Sequence, residues 1–140
     1  MKLKVVLDPG ATILPSRAHD LDAGYDLFSR EDATIWQSAG GKFDTGVHIE
    51  IPAGHVGFIK SKSGLNAKYG LEAEGVIDAG YTGSINVLLR NHGPKAVDIK
   101  KGQKIAQLVI LPIITPDLEV VDHLEETERG NSGFGSTGKF

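Results

Sequence analysis

Glycine and proline interrupt this sequence at short intervals, and that spacing limits what the chain can fold into. The 140 residues include 18 glycines and 6 prolines. Short apolar or alternating segments lie between them, and residues 47–51 are the clearest because apolar and polar side chains alternate there with period two. Short segments spaced about ten residues apart by turn signals are typical of an all-β sandwich or barrel. We therefore predict an all-β fold.

Two segments stand out from the pattern of short strands. Residues 104–114 form the longest apolar run, which predicts a buried central strand. Residues 63–70 are the one stretch that favours a helix, because Ser63 can cap its start and Gly70 can end it. Such a helix is too short to be stable alone, so packing must hold it.

The end of the sequence differs in character from the rest. Residues 118–122 alternate between apolar and polar side chains, which predicts a last strand. From residue 125 onward the periodicity disappears, and glycine and serine become frequent. We therefore predict one domain over residues 1–124 and a flexible C-terminal arm over residues 125–140.

Charge and composition exclude several classes of protein. The formal net charge of -3 argues against a dedicated nucleic-acid binder, which normally carries a basic stripe. The absence of cysteine excludes disulfides, thiolate zinc sites and a cysteine nucleophile, and it suits a reducing compartment. No apolar run approaches the about 18 residues of a membrane span, and the N-terminus lacks the apolar core of a signal peptide. We expect a cytoplasmic protein with neither a membrane nor a nucleic acid as a direct partner.

Two segments carry groups that suit phosphate. Residues 133–139 satisfy the glycine-and-lysine part of a phosphate-binding loop, but Phe140 then ends the sequence where a Ser or Thr and a helix are required. A P-loop NTPase is therefore excluded, and the open alternatives are a weaker phosphate site or a plain disordered terminus. Lys62 and Ser63 stand at the start of the predicted helix, where an anion site and an ordinary capped turn both fit.

Residues 75–85 carry a carboxylate, Asp78, and an aromatic side chain, Tyr81, between glycines. We interpret them as a hairpin whose glycines let the backbone approach a flat ligand. The apolar neighbours of Asp78 could desolvate it and tune it as a general base, whereas the alternative is an acid that stabilises its own turn. Asp22 and Asp26 lie in another short segment and could order a loop or steer hydrated Mg²⁺.

The five histidines show no metal-ligand spacing, so we interpret them as surface or strand residues. They are His19, His48, His55, His92 and His123.

Five segments, taken in their order along the chain, resemble the five motifs of the trimeric dUTPase family. They are Ala-Gly-Tyr-Asp-Leu at 23–27, Lys-Ser-Gly-Leu at 62–65, Gly-Val-Ile-Asp-Ala-Gly-Tyr-Thr-Gly at 75–83, Gly-Gln-Lys-Ile-Ala-Gln-Leu at 102–108, and Arg-Gly at 129–130 with Gly-Phe-Gly-Ser-Thr-Gly at 133–138. The resemblance covers nearly the whole chain, and the shared order is stronger evidence than any single motif.

The resemblance implies a jelly-roll-like β-barrel with one short helix, assembled as a homotrimer whose three active sites lie at subunit interfaces. It implies Mg²⁺-dependent hydrolysis of dUTP to dUMP and pyrophosphate, which limits uracil incorporation into DNA and supplies dUMP for thymidylate synthesis. The alternatives are a dCTP deaminase-like or bifunctional relative on the same fold, and a non-catalytic trimeric module. Such a module would bind a regulatory protein if the source is a phage.

The resemblance also implies roles for individual residues. Asp78 would activate water for attack at the α-phosphorus, and Tyr81 would stack under the deoxyribose and exclude a 2′-hydroxyl. Phe134 of the arm would stack over uracil, and Asp26 would help to organise Mg²⁺ through water. The other expected substrate-binding residues are Lys62, Ser63, Gly64, Val76, Ile77, Asn86, Gln107, Arg129, Gly135, Ser136 and Thr137.

Two positions depart from the family pattern. Lys62 stands where the second motif usually has Arg, so the charge is kept but the bidentate fork is lost. Residues 72–74 read Glu-Ala-Glu where many members have an Asn that contacts the base. We therefore expect recognition of the base to depend more heavily on backbone groups.

Overall fold

The computed structural model describes residues 1–11 and 13–140, and in that part of the chain it contains ten β-strands and one short helix. These are β1 (Lys4–Leu7), β2 (Gly24–Phe28), β3 (Ala33–Ile35), β4 (Gly40–Asp44), β5 (Val47–Glu50), β6 (His55–Lys60), α1 (Ser63–Tyr69), β7 (Leu71–Ile77), β8 (Asn86–Asn91), β9 (Val97–Ile99) and β10 (Lys104–Pro112). The predicted all-β fold is confirmed. No helix within the described residues is long and apolar enough to cross a membrane.

The largest sheet contains β10 in its interior, as the long apolar run predicted. Its strand order is β2-β10-β6-β7-β8-β4, and the paired strands are antiparallel. Two smaller sheets, β1-β5 and β3-β9, complete the fold. The strand β10 ends at Pro112, before the predicted end at residue 114, because proline cannot donate a hydrogen bond to a ladder.

The core lies between these sheets and is built from the apolar positions of alternating strands. In β5 the side chains of Val47 and Ile49 are buried, and in β8 those of Val87 and Leu89 are buried. Each fully buried aliphatic side chain stabilises the fold by about 1.5–3 kcal/mol relative to an exposed one. The alternation at residues 47–51 therefore correctly predicted a half-buried strand, since Val47 and Ile49 are buried and Glu50 is exposed.

The helix α1 ends where the sequence predicted, but its N-terminus differs from the prediction. Lys62, not Ser63, is the residue that precedes the helix, and it makes no capping hydrogen bond through its side chain. Ser63 already lies in the first turn, so the prediction that it caps the helix is wrong. Gly70 ends the helix in the left-handed conformation with φ 71°, as predicted, and its N–H donates to the carbonyl of Asn66.

The segment predicted as a hairpin is a wide loop. The strands β7 and β8 pair with each other only from Leu71↔Asn91 to Ala73↔Leu89. Beyond that point β7 pairs with β6, and β8 pairs with β4. Residues 78–85 must therefore span an opening between the two strands. We call these residues the active loop.

The C-terminal part of the chain carries no strand after β10. The predicted strand at residues 118–122 is wrong, because the chain has no neighbouring strand for it to pair with there, and Leu118 and Val120 are 96% and 98% exposed. Exposure begins at residue 111 and continues to residue 140. The division into a domain of residues 1–124 and an arm of residues 125–140 stays a prediction.

Candidate active site

A cavity of about 180 Å³ lies where β7 and β8 diverge, and its lining comes from predicted substrate-binding residues. These are Val76 and Ile77 from β7, Asp78 and Tyr81 from the active loop, and Asn86 from β8. The cavity lies where the β7–β8 ladder stops after Ala73↔Leu89, while β7 stays paired with β6 and β8 with β4 on their other edges. The same divergence leaves residues 74–77 of β7 without a β8 partner on one edge.

The Tyr81 side chain is fixed by contacts within the active loop. The backbone N–H of Tyr81 donates to the carbonyl of Asp78 at 3.0 Å, which closes a tight turn, and the side-chain hydroxyl donates to the carbonyl of Ser84 at 2.8 Å. The ring lies against Gly83, where an added Cβ would stand 2.5 Å from the tyrosine oxygen. Only glycine at position 83 leaves room for this position of the ring.

Asp78 is exposed in the single chain. The expectation that its apolar neighbours desolvate it is therefore wrong for one chain alone. The physical reason is that Asp78 follows the last residue of β7, at the open side of the sheet.

Asp26 forms the centre of a second group of predicted residues. Its side chain is buried, and it forms ion pairs with Lys62 Nζ at 2.5 Å and with Lys104 Nζ at 2.7 Å, one lysine for each carboxylate oxygen. Burial raises the pKa of Asp26, but the hydrogen bonds from Lys104 and Lys62 outweigh burial, so the pKa lies below its ordinary value. Two lysines thus supply the two donors that one arginine fork would provide.

Lys104 is a site residue that the sequence analysis did not single out. A bulge in the pairing of β10 with β2 lies between Lys104 and Ala106, so the residue that begins β10 reaches the same carboxylate as Lys62. A lysine at the start of an apolar run was a weak signal, because nothing local indicates which acid it meets.

Gln107 holds the segment that precedes the helix. Its side-chain amide donates to the carbonyl of Ser61 at 2.9 Å, and the Ser61 hydroxyl accepts the N–H of Ala73 at 2.9 Å. Gly24 makes this possible, because an added Cβ there would stand 2.2 Å from the Gln107 side-chain oxygen. Ser63 and the residue after it are exposed beside this segment.

The two groups of residues lie at opposite ends of β7. Ser61 contacts Ala73 near one end, whereas Asp78 follows the other end. Asp78 lies five positions after Ala73, and a strand rises about 3.3 Å per residue, so these two residues are about 17 Å apart. One chain therefore does not bring the two groups together.

The predicted residues of the arm are exposed, and the hydrogen bonds that the described residues form there stay within the arm. Arg129, for example, donates through Nε to the carbonyl of Ser132 at 3.0 Å. The exposed arm residues with a predicted role are Arg129, Phe134, Gly135, Ser136 and Thr137.

The chain is similar to several known proteins over nearly its whole length. A sequence model of the dUTPase family matches residues 11–138. A deoxyuridine 5'-triphosphate nucleotidohydrolase of Clostridium tetani is 47% identical over 140 residues, which covers 98% of this chain and 97% of the relative. A Candida albicans protein of the same name is 44% identical and covers 98% of this chain and 88% of the relative.

Solved structures agree with this similarity. The dUTPase of Staphylococcus bacteriophage 80alpha with dUpNHpp has a TM-score of 0.92 and 35% identity, over 99% of both chains. A variant dUTPase of phage phi11 of S. aureus, described for its coordination of a structural Mg(II) ion, has a TM-score of 0.84 and 32% identity. That match covers 90% of this chain and 100% of the phage chain. The jelly-roll-like β-barrel expected from the sequence is thereby confirmed.

The ion pairs of Asp26 predict how stability depends on pH. The pKa of Asp26 is lower in the folded chain than in the unfolded one. Its contribution to the free energy of unfolding is therefore complete above the ordinary carboxyl pKa of about 3.9, and it is lost as the pH falls through the lower pKa of the folded chain. Asp26→Asn should lower the free energy of unfolding at pH 7 by about 1–3 kcal/mol, since both lysines remain partly in water. It should also make the loss of stability in acid shallower.

Urea unfolding from pH 7 to pH 3, at one fixed chain concentration, measures both effects. Asp122→Asn is the matched control, because Asp122 is exposed and should behave as the unchanged chain does. Equal acid-side slopes for Asp26→Asn and the unchanged chain would contradict the prediction.

Proposed function

The chain belongs to the dUTPase family, it hydrolyses dUTP, and from that premise we propose which residues carry out the reaction. The proposal rests on the cavity between β7 and β8, where a carboxylate and an aromatic ring lie beside a strand edge that has no β8 partner. Asp78 accepts a proton from a water molecule as the water oxygen attacks the α-phosphorus. The bond from that phosphorus to the bridging oxygen breaks, and dUMP and pyrophosphate are the products.

Recognition of the base uses the open edge of β7. Residues 74–77 pair with β6 on one side and have no β8 partner on the other. Their free peptide groups offer the alternating donors and acceptors that a uracil edge needs. Asn86 adds a side chain at the opposite wall of the cavity, where its amide donates to the carbonyl of Ser84.

Recognition of the sugar uses Tyr81. Its ring is held by Gly83 and by the hydrogen bond to the Ser84 carbonyl, so the ring does not need to reorganise when a nucleotide enters. A ring fixed in this way forms a flat floor for deoxyribose and leaves no space for a 2′-hydroxyl.

The phosphates are bound by Lys62, Ser63, Gly64 and Gln107, the group at the other end of β7. Asp26 holds Lys62 in place through their ion pair. Asp26 compensates only one of the two positive charges of Lys62 and Lys104, so one net positive charge remains to attract phosphate. Further selectivity for a triphosphate must come from geometry and from the arm.

The side chains of the described residues are compatible with a magnesium ion that binds together with the substrate. They contain no cluster of three or more His, Cys, Asp or Glu that could cage a metal. Mg²⁺ on a triphosphate usually takes few protein ligands, so water-mediated contact with Asp26 is sufficient. Both Asp26 oxygens already accept from lysines, which favours that indirect contact over direct coordination. When bound, Mg²⁺ neutralises charge on the phosphates and polarises the phosphoryl oxygens.

A complete site needs more than one copy of the chain. Asp78 lies about 17 Å along β7 from Ala73, the residue that Ser61 contacts, so the predicted phosphate-binding residues of one chain do not line the cavity that contains Asp78. Exposed apolar side chains such as Val76, Leu88 and Leu118 also lack cover in the single chain. A homotrimer with sites at the subunit interfaces, as in the family, satisfies both requirements.

The arm completes the site by closing over the substrate. Phe134 stacks on uracil, and Arg129, Ser136 and Thr137 contact the β- and γ-phosphates. Ordering each residue of the arm costs on the order of 1 kcal/mol or more. Stacking and charge-assisted hydrogen bonds of about 1.5–3 kcal/mol each must offset that cost. The arm should therefore close only over a full triphosphate.

A regulatory protein partner and a cytoplasmic location remain predictions for this chain. Neither the size nor the chemistry of the cavity favours a deaminase over the hydrolase.

Asp78→Asn should lower kcat for dUTP by about 10²–10⁴-fold and leave binding of a non-hydrolysable dUTP analogue intact, because only the proton acceptor is lost. Pyrophosphate release and isothermal titration calorimetry measure the two effects. Asp20→Asn, in an exposed loop, is the control and should retain activity. Loss of analogue binding in Asp78→Asn would show that Asp78 is structural.

Gly83→Ala should displace the Tyr81 ring, because the new Cβ would stand 2.5 Å from the tyrosine oxygen. We expect kcat/KM for dUTP to fall roughly tenfold and the ratio of UTP to dUTP hydrolysis to rise, since loss of a fixed contact costs about 1 kcal/mol or more. Gly80→Ala lies in the same loop and meets nothing within 4 Å, so it serves as the matched control. An unchanged UTP to dUTP ratio in Gly83→Ala would refute the role of the ring.

Mixed trimers test whether the arm and Asp78 of one site come from different copies. Asp78→Asn chains and chains truncated after Glu128 should each be inactive alone. After co-refolding in equal amounts, about a quarter of the sites should combine an intact Asp78 with an intact arm, and activity should return. A mixture as inactive as its components, with trimers verified by light scattering, would place both on the same copy.

A further inference from the structure

The His48 side chain connects the active loop to the residue that follows β1. It lies in β5, opposite Val6 of β1. Its Nδ1 is 2.8 Å from the carbonyl oxygen of Thr82 in the active loop, and its Nε2 is 2.9 Å from Oδ1 of Asp8 just after β1. The side chain is 27% exposed, so it is largely held between its partners.

The chemistry of the two partners determines the protonation state of His48. The Thr82 carbonyl oxygen can only accept a hydrogen bond, and so can the ionised carboxylate of Asp8. Both ring nitrogens must therefore carry a proton for both contacts to form, which requires the imidazolium. The hydrogen bonds to Thr82 and Asp8 raise the pKa of His48 above its ordinary value, and burial opposes them more weakly.

The charges that surround His48 agree with this state. Asp8 contacts the ring directly, and Asp44 of β4 contributes a second negative charge nearby. Lys4 and Glu50 border the same surface cavity, and they form an ion pair with each other at 3.2 Å. Their charges therefore compensate each other, which leaves a net negative environment for the ring.

We propose that His48, as an imidazolium, is a positioning residue that fastens Thr82 and thereby holds Tyr81 and Asp78 in their working positions. This rests on the function proposed for those two residues. A neutral imidazole has one N–H, so it must present a lone pair to either the Thr82 carbonyl or the Asp8 carboxylate. Both hydrogen bonds of the ring form below the ordinary histidine pKa of about 6.5, and one of them is lost as the pH rises through the higher pKa of His48 in the folded chain.

The decisive measurement is nitrogen-detected NMR of the His48 ring in the full chain, recorded from pH 5 to pH 9 without nucleotide. Both ring nitrogens should be protonated at neutral pH. The amide signals of Thr82 and Gly83 should shift with the same midpoint as the ring. A His48 midpoint at or below the ordinary value, or loop amides that do not follow it, would overturn the proposal.

Asp8→Asn is the informative variant, because an asparagine amide can donate to a neutral Nε2 and leave Nδ1–H for the Thr82 carbonyl. It should lower the His48 midpoint towards the ordinary value while the Thr82 amide signal stays near its low-pH position. If Asp8→Asn instead leaves the His48 midpoint where it was, the proposed pairing is wrong.

The pH profile of dUTP hydrolysis gives the functional readout. The unchanged chain should lose kcat/KM on the alkaline side with the His48 midpoint, by roughly threefold to tenfold, the range expected for one lost hydrogen bond. His48→Gln, which cannot become charged, should show the lower value at all pH values and no alkaline limb. His55→Gln is the matched control, because the hydrogen bond of the His55 ring among the described residues is to the carbonyl of Ala53 in its own turn, and its profile should match the unchanged chain.

The two sets of results separate the possible failures. If dUTP is not hydrolysed at any pH, the proposed function fails, and the NMR titration still decides whether His48 ties the loop. If dUTP is hydrolysed but the alkaline limb persists in His48→Gln, the positioning role is refuted while the function stands.

Discussion

The short ladder between β7 and β8 is the constraint on which the rest of the site depends. The two strands share only the pairs from Leu71↔Asn91 to Ala73↔Leu89, and beyond them each strand stays paired on its other edge alone, β7 with β6 and β8 with β4. If the ladder continued to the end of both strands, a tight hairpin would fill the space that the cavity occupies. The divergence also leaves an edge of β7 unpaired, and unpaired peptide groups next to a cavity are what recognition of a flat polar base requires.

The opening between the strands creates a second requirement, because residues 78–85 cross it without a ladder of their own. The loop is held instead by contacts from outside. Ile85 donates to the carbonyl of Val47 at 2.8 Å and accepts from the Thr45 hydroxyl at 2.7 Å, while the Ser84 hydroxyl bonds to Asp44. With the contact of His48 to the Thr82 carbonyl, these bonds fix the loop near its end and leave Asp78 exposed at its start.

The sequence was sufficient for the fold class, the order of the motifs and the residues that line the cavity, because those depend on local pattern and on resemblance. It was insufficient for contacts between segments far apart in the chain. His48 meets partners 34 and 40 residues away, and Lys104 reaches Asp26 across a bulge that no local pattern indicates. The strand predicted at 118–122 failed for the same reason, since alternation specifies a face but does not supply a neighbouring strand.

The proposed site combines a cavity that is formed in the single chain with an arm that we predict to be flexible, and the difference follows from where hydrogen bonds are available. The cavity and Tyr81 are fixed before substrate binds, so discrimination of base and sugar carries little ordering cost. Among the described residues, the hydrogen bonds of the arm stay within the arm, so the closure that we propose would have to be driven by the substrate. A nucleotide with the wrong sugar would fail in the rigid cavity before the arm could close on its phosphates. If His48 positions the loop that holds Tyr81, as we propose, that first step of selection depends on the protonation of one histidine.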